Sequence, residues 1–196
     1  MGKWLFQQAT GTILGFSDKI NCETLTVPAS IGEHKVRRVS DYAFCRSNIR
    51  KLIISEGIEE LGSYCFYACG IEEIQLARTL RQCEKFTFAD NRIVDIHVTG
   101  NLETLGIGCF ANNKIVRVSL SEMFRNAGIG CFANNPITEL EVGSQVLAIG
   151  EIAFAGNKLP SKIDIGGGIE FIGDRAFTEK CVDVQDEVNK ILRCDM

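Results

Sequence analysis

Little in this sequence points to chemistry. No run of about 18 apolar residues occurs, so no membrane-spanning helix is expected. The opening residues lack a basic segment followed by an apolar stretch, so no signal peptide is visible. There is no basic field either. Against 21 Lys and Arg stand 25 Asp and Glu, a net charge of −4, which argues against a nucleic-acid or anionic-membrane binder. The nine cysteines include no CxxC pair. Cys65 and Cys69 are close in sequence, but with no second pair and no nearby His a zinc site is not expected. No Gly-rich stretch follows a strand and opens a helix, and Gly166-Gly167-Gly168 reads as a turn, so a phosphate cradle is not expected. No strained nucleophile turn of the GxSxG kind is present. The reading is therefore of a chain without catalytic residues, cofactor or metal.

What is present is a period. GIGCFANNKI and GIGCFANNPI recur 22 residues apart between Leu102 and Pro136. Phe44, Phe66, Phe88, Phe110, Phe132, Phe154 and Phe177 anchor the repeats, with five steps of 22 residues and one of 23. Each of the first six anchors is followed at a fixed offset by Ser47, Cys69, Asn91, Asn113, Asn135 or Asn157, and then by Ile49, Ile71, Ile93, Ile115, Ile137 or Leu159. An alternating apolar pair comes next, from Leu52 and Ile54 to Ile163 and Ile165. Gly then recurs at Gly62, Gly106, Gly128, Gly150 and Gly173, with Glu84 the exception.

Each register has a physical reason. Alternation marks a short strand with two inward side chains. Strands separated by a whole coil should run parallel. The recurrent Gly suits a tight turn that a Cβ would hinder. A buried Asn amide offers donors and an acceptor to inward-facing backbone groups, so a column of Asn can serve neighbouring coils. No coil can bury its own apolar face, but stacked coils share one core. Cys65, Cys109 and Cys131 sit in a slot that other repeats fill with Ala or Thr, so they read as buried free thiols.

LAIGEIAFAGNKL and IEFIGDRAFTEKC carry an AF step after an IG pair, and in this the chain resembles the BspA-like leucine-rich repeats. The resemblance covers roughly Leu25 to Val184. It departs from the family in Glu84 and in the loss of Pro after most strands, only Pro28 remaining. It implies a right-handed repeat solenoid with a parallel β-sheet on one face and loops or short 3-10 turns on the other. It also implies a binding role, often as a surface adhesin, without chemistry of its own.

The expected organisation is an N-terminal β cap and first strand over 1–40, repeats over 41–184, and a C-terminal cap or tail over 185–196. Trp4 and Phe6 alternate with polar residues, and Ile13 to Phe16 can return as a second strand. Ile31 to Val39 is an insertion that can make a small hairpin or an extended loop, and Ser121 to Ala127 calls for local repacking around Phe124. Val182 and Val184 fit a last strand, and Val188, Ile191 and Leu192 fit a short helix over Asp186 to Arg193.

The exposed strand positions form two columns. Ile53, Gln75, His97, Ser119, Glu141 and Asp164 lie between the inward pairs; Lys51, Glu73, Asp95, Arg117, Glu139 and Lys162 lie beside them. Rungs are about 4.8 Å apart. These columns are either a solvated charge ladder or a polar strip that binds a protein or peptide. Ser119, His97 and Asp95 are not expected to form a hydrolase, because an open sheet does not exclude water. Binding to nucleic acid is not expected, and the chain should be a monomer or a weak end-to-end dimer. Unpaired cysteines favour the cytoplasm, whereas the resemblance favours the cell surface or secretion.

Overall fold

The structure, a computed structural model, describes residues 3–98, 100–160, 162–163 and 167–194, without the side chains of Val188 and of 191–194. The chain enters through a hairpin in which β1 (Trp4–Gln7) pairs antiparallel with β2 (Thr12–Phe16). β3 (Asn21–Val27) begins the strand face. β4 (Ser30–Ile31) and β5 (His34–Lys35) form a small antiparallel ribbon, and β6 (Arg38–Val39) follows. Thereafter each coil carries one strand on the exposed face and one two-residue strand on another side. These are β7 (Asn48–Ile54) and β8 (Glu60–Leu61), β9 (Glu73–Gln75) and β10 (Gln82–Cys83), β11 (Asp95–Val98) and β12 (Thr104–Leu105). Next come β13 (Arg117–Leu120) and β14 (Asn126–Ala127), then β15 (Glu139–Glu141) and β16 (Ala148–Ile149). β17 (Phe171–Ile172) and helix α1 (Val184–Cys194) complete the chain.

Neighbouring coils pair in parallel at the sequence period, Gln82 opposite Thr104 and Asp95 opposite Arg117. The result is a β-solenoid of about seven turns. The anchor phenylalanines stand in one file from Phe44 to Phe177, each ring stacked on the next at 5.0 to 5.7 Å between centroids. Trp4 covers the first ring edge-on at 6.0 Å. Phe124 is fully buried in the same core.

Beside the file runs the Asn ladder. Asn113 Nδ2 donates to the carbonyls of Phe88 (2.9 Å) and Phe110 (3.0 Å), and its Oδ1 accepts from the Ile93 N–H (3.2 Å). Asn91, Asn135 and Asn157 repeat this, each joining two coils. Cys69 takes the position at an earlier rung, donating its thiol to the Phe44 carbonyl. Ser47 does not join; among the described residues its hydroxyl makes no hydrogen bond, and the rung's Asn48 bonds Asn21 instead at 2.6 Å.

Three features differ from the expectations. The two-residue strands link into one nine-stranded sheet, β1-β2-β6-β8-β10-β12-β14-β16-β17, longer than any sheet on the exposed face. The recurrent Gly closes that sheet by closeness of approach, not by an unusual turn. A Cβ on Gly106 would lie 2.6 Å from the carbonyl carbon of Glu84, and one on Gly128 2.7 Å from that of Gly106. Left-handed backbone occurs instead on either side of each anchor, at Tyr42, Tyr64 and Phe86 before it and at Arg46, Ala68, Asp90, Asn112 and Asn134 after it. That alternation turns successive N–H groups towards the next rung: Tyr64, Phe66 and Ala68 all donate to carbonyls of the following coil, at 3.0 Å each. No 3-10 helix is found among the described residues.

At the end of the repeats, Ile163 is not in a strand, and Ile165 and Asp164 lie outside the described residues. Pro160, which has no N–H to give a ladder, stands just before them. Val182 and Val184 form no strand. Asp183 accepts a hydrogen bond from the Asp186 N–H at 2.9 Å and so caps α1, which starts two residues earlier than expected.

Candidate functional site

The exposed strand face carries the candidate residues, but not as one strip. β3-β7-β9 form one three-stranded sheet and β11-β13-β15 another, with no pairing between β9 and β11. Lys51, Ile53, Glu73 and Gln75 belong to the first; Asp95, His97, Arg117, Ser119, Glu139 and Glu141 belong to the second. Lys162 is exposed outside any strand, and Asp164 lies outside the described residues.

Within each sheet, charges meet across rungs. Lys51 Nζ lies 2.9 Å from Glu73, and Arg117 Nε 2.6 Å from Glu139. Hydrogen bonds from these cations hold the carboxyls of Glu73 and Glu139 below the usual carboxylate range. Arg50 spans Glu23 (3.1 Å) and Glu72 (2.8 Å). All these groups are well exposed, so water and salt screen the pairs and they add little to stability. Ser119 Oγ donates to Glu141 at 3.1 Å, so its hydroxyl faces away from His97. Among the described residues Gln75, Asp95 and His97 have no side-chain partner. Between the sheets lies a cleft of about 560 Å³, lined by Glu72, Ile74, Leu76, Val94, Asp95 and Ile96 among others. The sequence reading named Glu73, Gln75, Asp95 and His97 of this lining as candidate binding residues and Ile74, Leu76 and Ile96 as inward packing residues, but missed Glu72 and Val94. The inward apolar pattern matches that of every other rung, so no local signal marks the cleft.

A second assembly covers the flank. Phe86, Ala89, Ala111, Ala133, Ile152, Ala155 and Val184 form a small core of their own. Gly108 and Gly130 stand where earlier coils carry Tyr42, Tyr64 and Phe86. A Cβ on Gly130 would meet Val184 Cγ1 at 2.8 Å, so that glycine makes room for the returning chain, whereas one on Gly108 would meet the Phe86 ring. Asn134 clamps it, donating to the Val182 carbonyl (2.6 Å) and accepting from the Val182 N–H (3.0 Å). Helix α1 thus starts on the side of the coils, not over their end, where Phe171 and Ile172 remain exposed.

The repeat pattern of the BspA type Leucine rich repeat region matches in six copies, over residues 37–160 and 84–191. The chain belongs to that family. Among curated proteins none matches. Solved structures of similar fold include this leucine-rich repeat architecture in a T. pallidum Leucine Rich Repeat protein, 18% identical, covering 96% of this chain and 92% of that one, with a TM-score of 0.75. A leucine rich cell surface protein from Faecalibacterium prausnitzii is 19% identical over 90% of this chain and 50% of its own, at 0.62. The pneumococcal vaccine antigen PcpA is 15% identical over 96% and 43%, at 0.55. The chain spans about half the length of these last two. At these identities the likeness concerns the leucine-rich repeat fold alone. No helix among the described residues is long and apolar enough to cross a membrane.

Proposed function

We propose that the chain is a non-catalytic protein-binding module that receives its partner on the exposed strand face. The observation that carries this reading is the division of labour in the coils. The inward positions are committed to packing, and the amides to backbone repair. The outward positions of β7, β9, β11, β13 and β15, Ile53 apart, are polar or charged on a firmly held surface. Family membership supports it, since leucine-rich repeats commonly bind proteins. A second reading is a surface adhesin; the cell surface protein of F. prausnitzii, alike in fold, favours it. A third is the recognition or regulatory subunit of an enzyme complex. Replacing Lys51, Asp95, His97, Arg117 and Glu139 together by Ala should abolish capture of partners from the native organism, with the melting temperature nearly unchanged. Undiminished capture by that variant would refute the reading.

A further inference from the structure

Hydrogen bonds between coils form a series on the strand face, and one member is missing. The Glu72 N–H donates to the Arg50 carbonyl (2.8 Å), Val116 to Val94 (2.9 Å) and Thr138 to Val116 (2.9 Å). Among the described residues, the corresponding bond from the Val94 N–H to the Glu72 carbonyl is not made. Burial tells the same story. The inward pair Ile74 and Leu76 is only half-buried, as are Leu140 and Val142 at the last strand of the face. Leu52, Ile54, Ile96, Val98, Val118 and Leu120 are all buried. Ile74 and Leu76 therefore have the surroundings of an end of the stack while sitting in its middle. The coils have not parted elsewhere: Phe66, Phe88 and Phe110 stack at 5.7 and 5.0 Å, and β8-β10-β12 is unbroken. The stack opens on one side only.

We propose that this opening takes an extended, basic peptide segment of a partner protein, which adds its backbone as a strand to the free edge between β9 and β11. This rests on the protein-binding reading above and names its site and ligand class. A sheet edge offers alternating N–H and C=O groups, and another strand is what answers both in register. The edge of β11, four residues, is about 13 Å long and matches a peptide of similar length. Ile74, Leu76 and Val94, the last 46% exposed, supply an apolar floor for an aliphatic side chain. Glu72, Glu73 and Asp95 line the same opening with negative charge. Arg50 and Lys51 hold the first two from one side, and Asp95 has no ion-pair partner among the described residues. That charge favours Lys or Arg at alternate positions of the peptide and disfavours acidic ones.

The test uses the whole chain and three blocked peptides: Lys-Val-Arg-Val-Lys, its analogue N-methylated at alternate amides, and Glu-Val-Glu-Val-Glu. Fluorescence anisotropy should show the basic peptide binding, with N-methylation or acidic side chains weakening it at least about tenfold. In the free protein the Val94 amide should exchange at least about tenfold faster than that of Val116, and the basic peptide should slow it. Val94→Pro removes the free N–H and keeps the carbonyl that accepts from Val116, so it should weaken binding by a similar factor. The N-methylated peptide asks the same question without a mutation, should that variant fold poorly. A Val94 amide as protected as that of Val116 without peptide, or equal binding of the N-methylated peptide, would overturn the proposal. If no peptide binds while the five-residue Ala variant still loses its partner, strand addition is wrong and the wider reading stands. If that variant keeps its partner, both fall.

Discussion

At the scale of single residues, stability is decided by polar groups that have no water to turn to. Asn113 is 3% exposed and serves four backbone groups on two coils. Asn113→Ala strands them and should cost about 1–3 kcal/mol in a urea melt. The position was legible from the repeat, because an amide answers both kinds of backbone group; that Cys69 would stand in for it and Ser47 would not depended on local geometry. The thiols make a second prediction. Burial raises Cys65, Cys83 and Cys131 well above the ordinary value of 9.0 and pushes Cys69 up to about 12. The neutral thiol is the folded form, so its contribution is complete below the unfolded value and lost as pH rises towards the folded one. Four such groups lose roughly 6 kcal/mol per pH unit at about 1.4 kcal/mol each. The fold should therefore collapse between about pH 10 and 12, as followed by circular dichroism. Replacing Cys65, Cys83 and Cys131 by Ala should move that midpoint upward.

At the scale of elements, α1 shows how a side of the coils was prepared for the chain's return. Gly130 leaves the slot that Val184 occupies, and Asn134 ties the approach. Arg175 then pairs with Glu187 on the helix. The hydrogen bond from Arg175, with a further one from Lys190, holds the Glu187 carboxyl below the ordinary value of 4.5. Its contribution is complete above that ordinary value and lost as pH falls through the lowered one. Limited proteolysis should therefore show α1 loosening as pH falls below the ordinary value of 4.5, before the coils unfold. Arg175→Ala should weaken that pH dependence, with Lys190 still beside Glu187. The sequence showed a helical spacing here, and Asp183, an acidic residue three before Asp186, is the local signal for the cap.

At the scale of the molecule, each coil touches only its neighbours, and the Phe file is the main continuous contact. Phe110 sits in the middle, fully buried between Phe88 and Phe132. Phe110→Ala should cost about 3–5 kcal/mol through the lost burial and the cavity. Because coupling in a stack is between nearest neighbours, the urea transition should also broaden as the two halves lose cooperativity.

The chain's own pattern determined the period, the file of phenylalanines, the Asn column and the parallel strands, because each follows from which side chains a 22-residue coil must turn inward. Only the tertiary structure decided where the strand face breaks, that a second and longer sheet closes another side, and that α1 lies on the flank. Those depend on the spacing and tilt of whole coils against one another. Residues with the same inward pattern, such as Ile74 and Leu52, end in different surroundings once a neighbouring coil swings away.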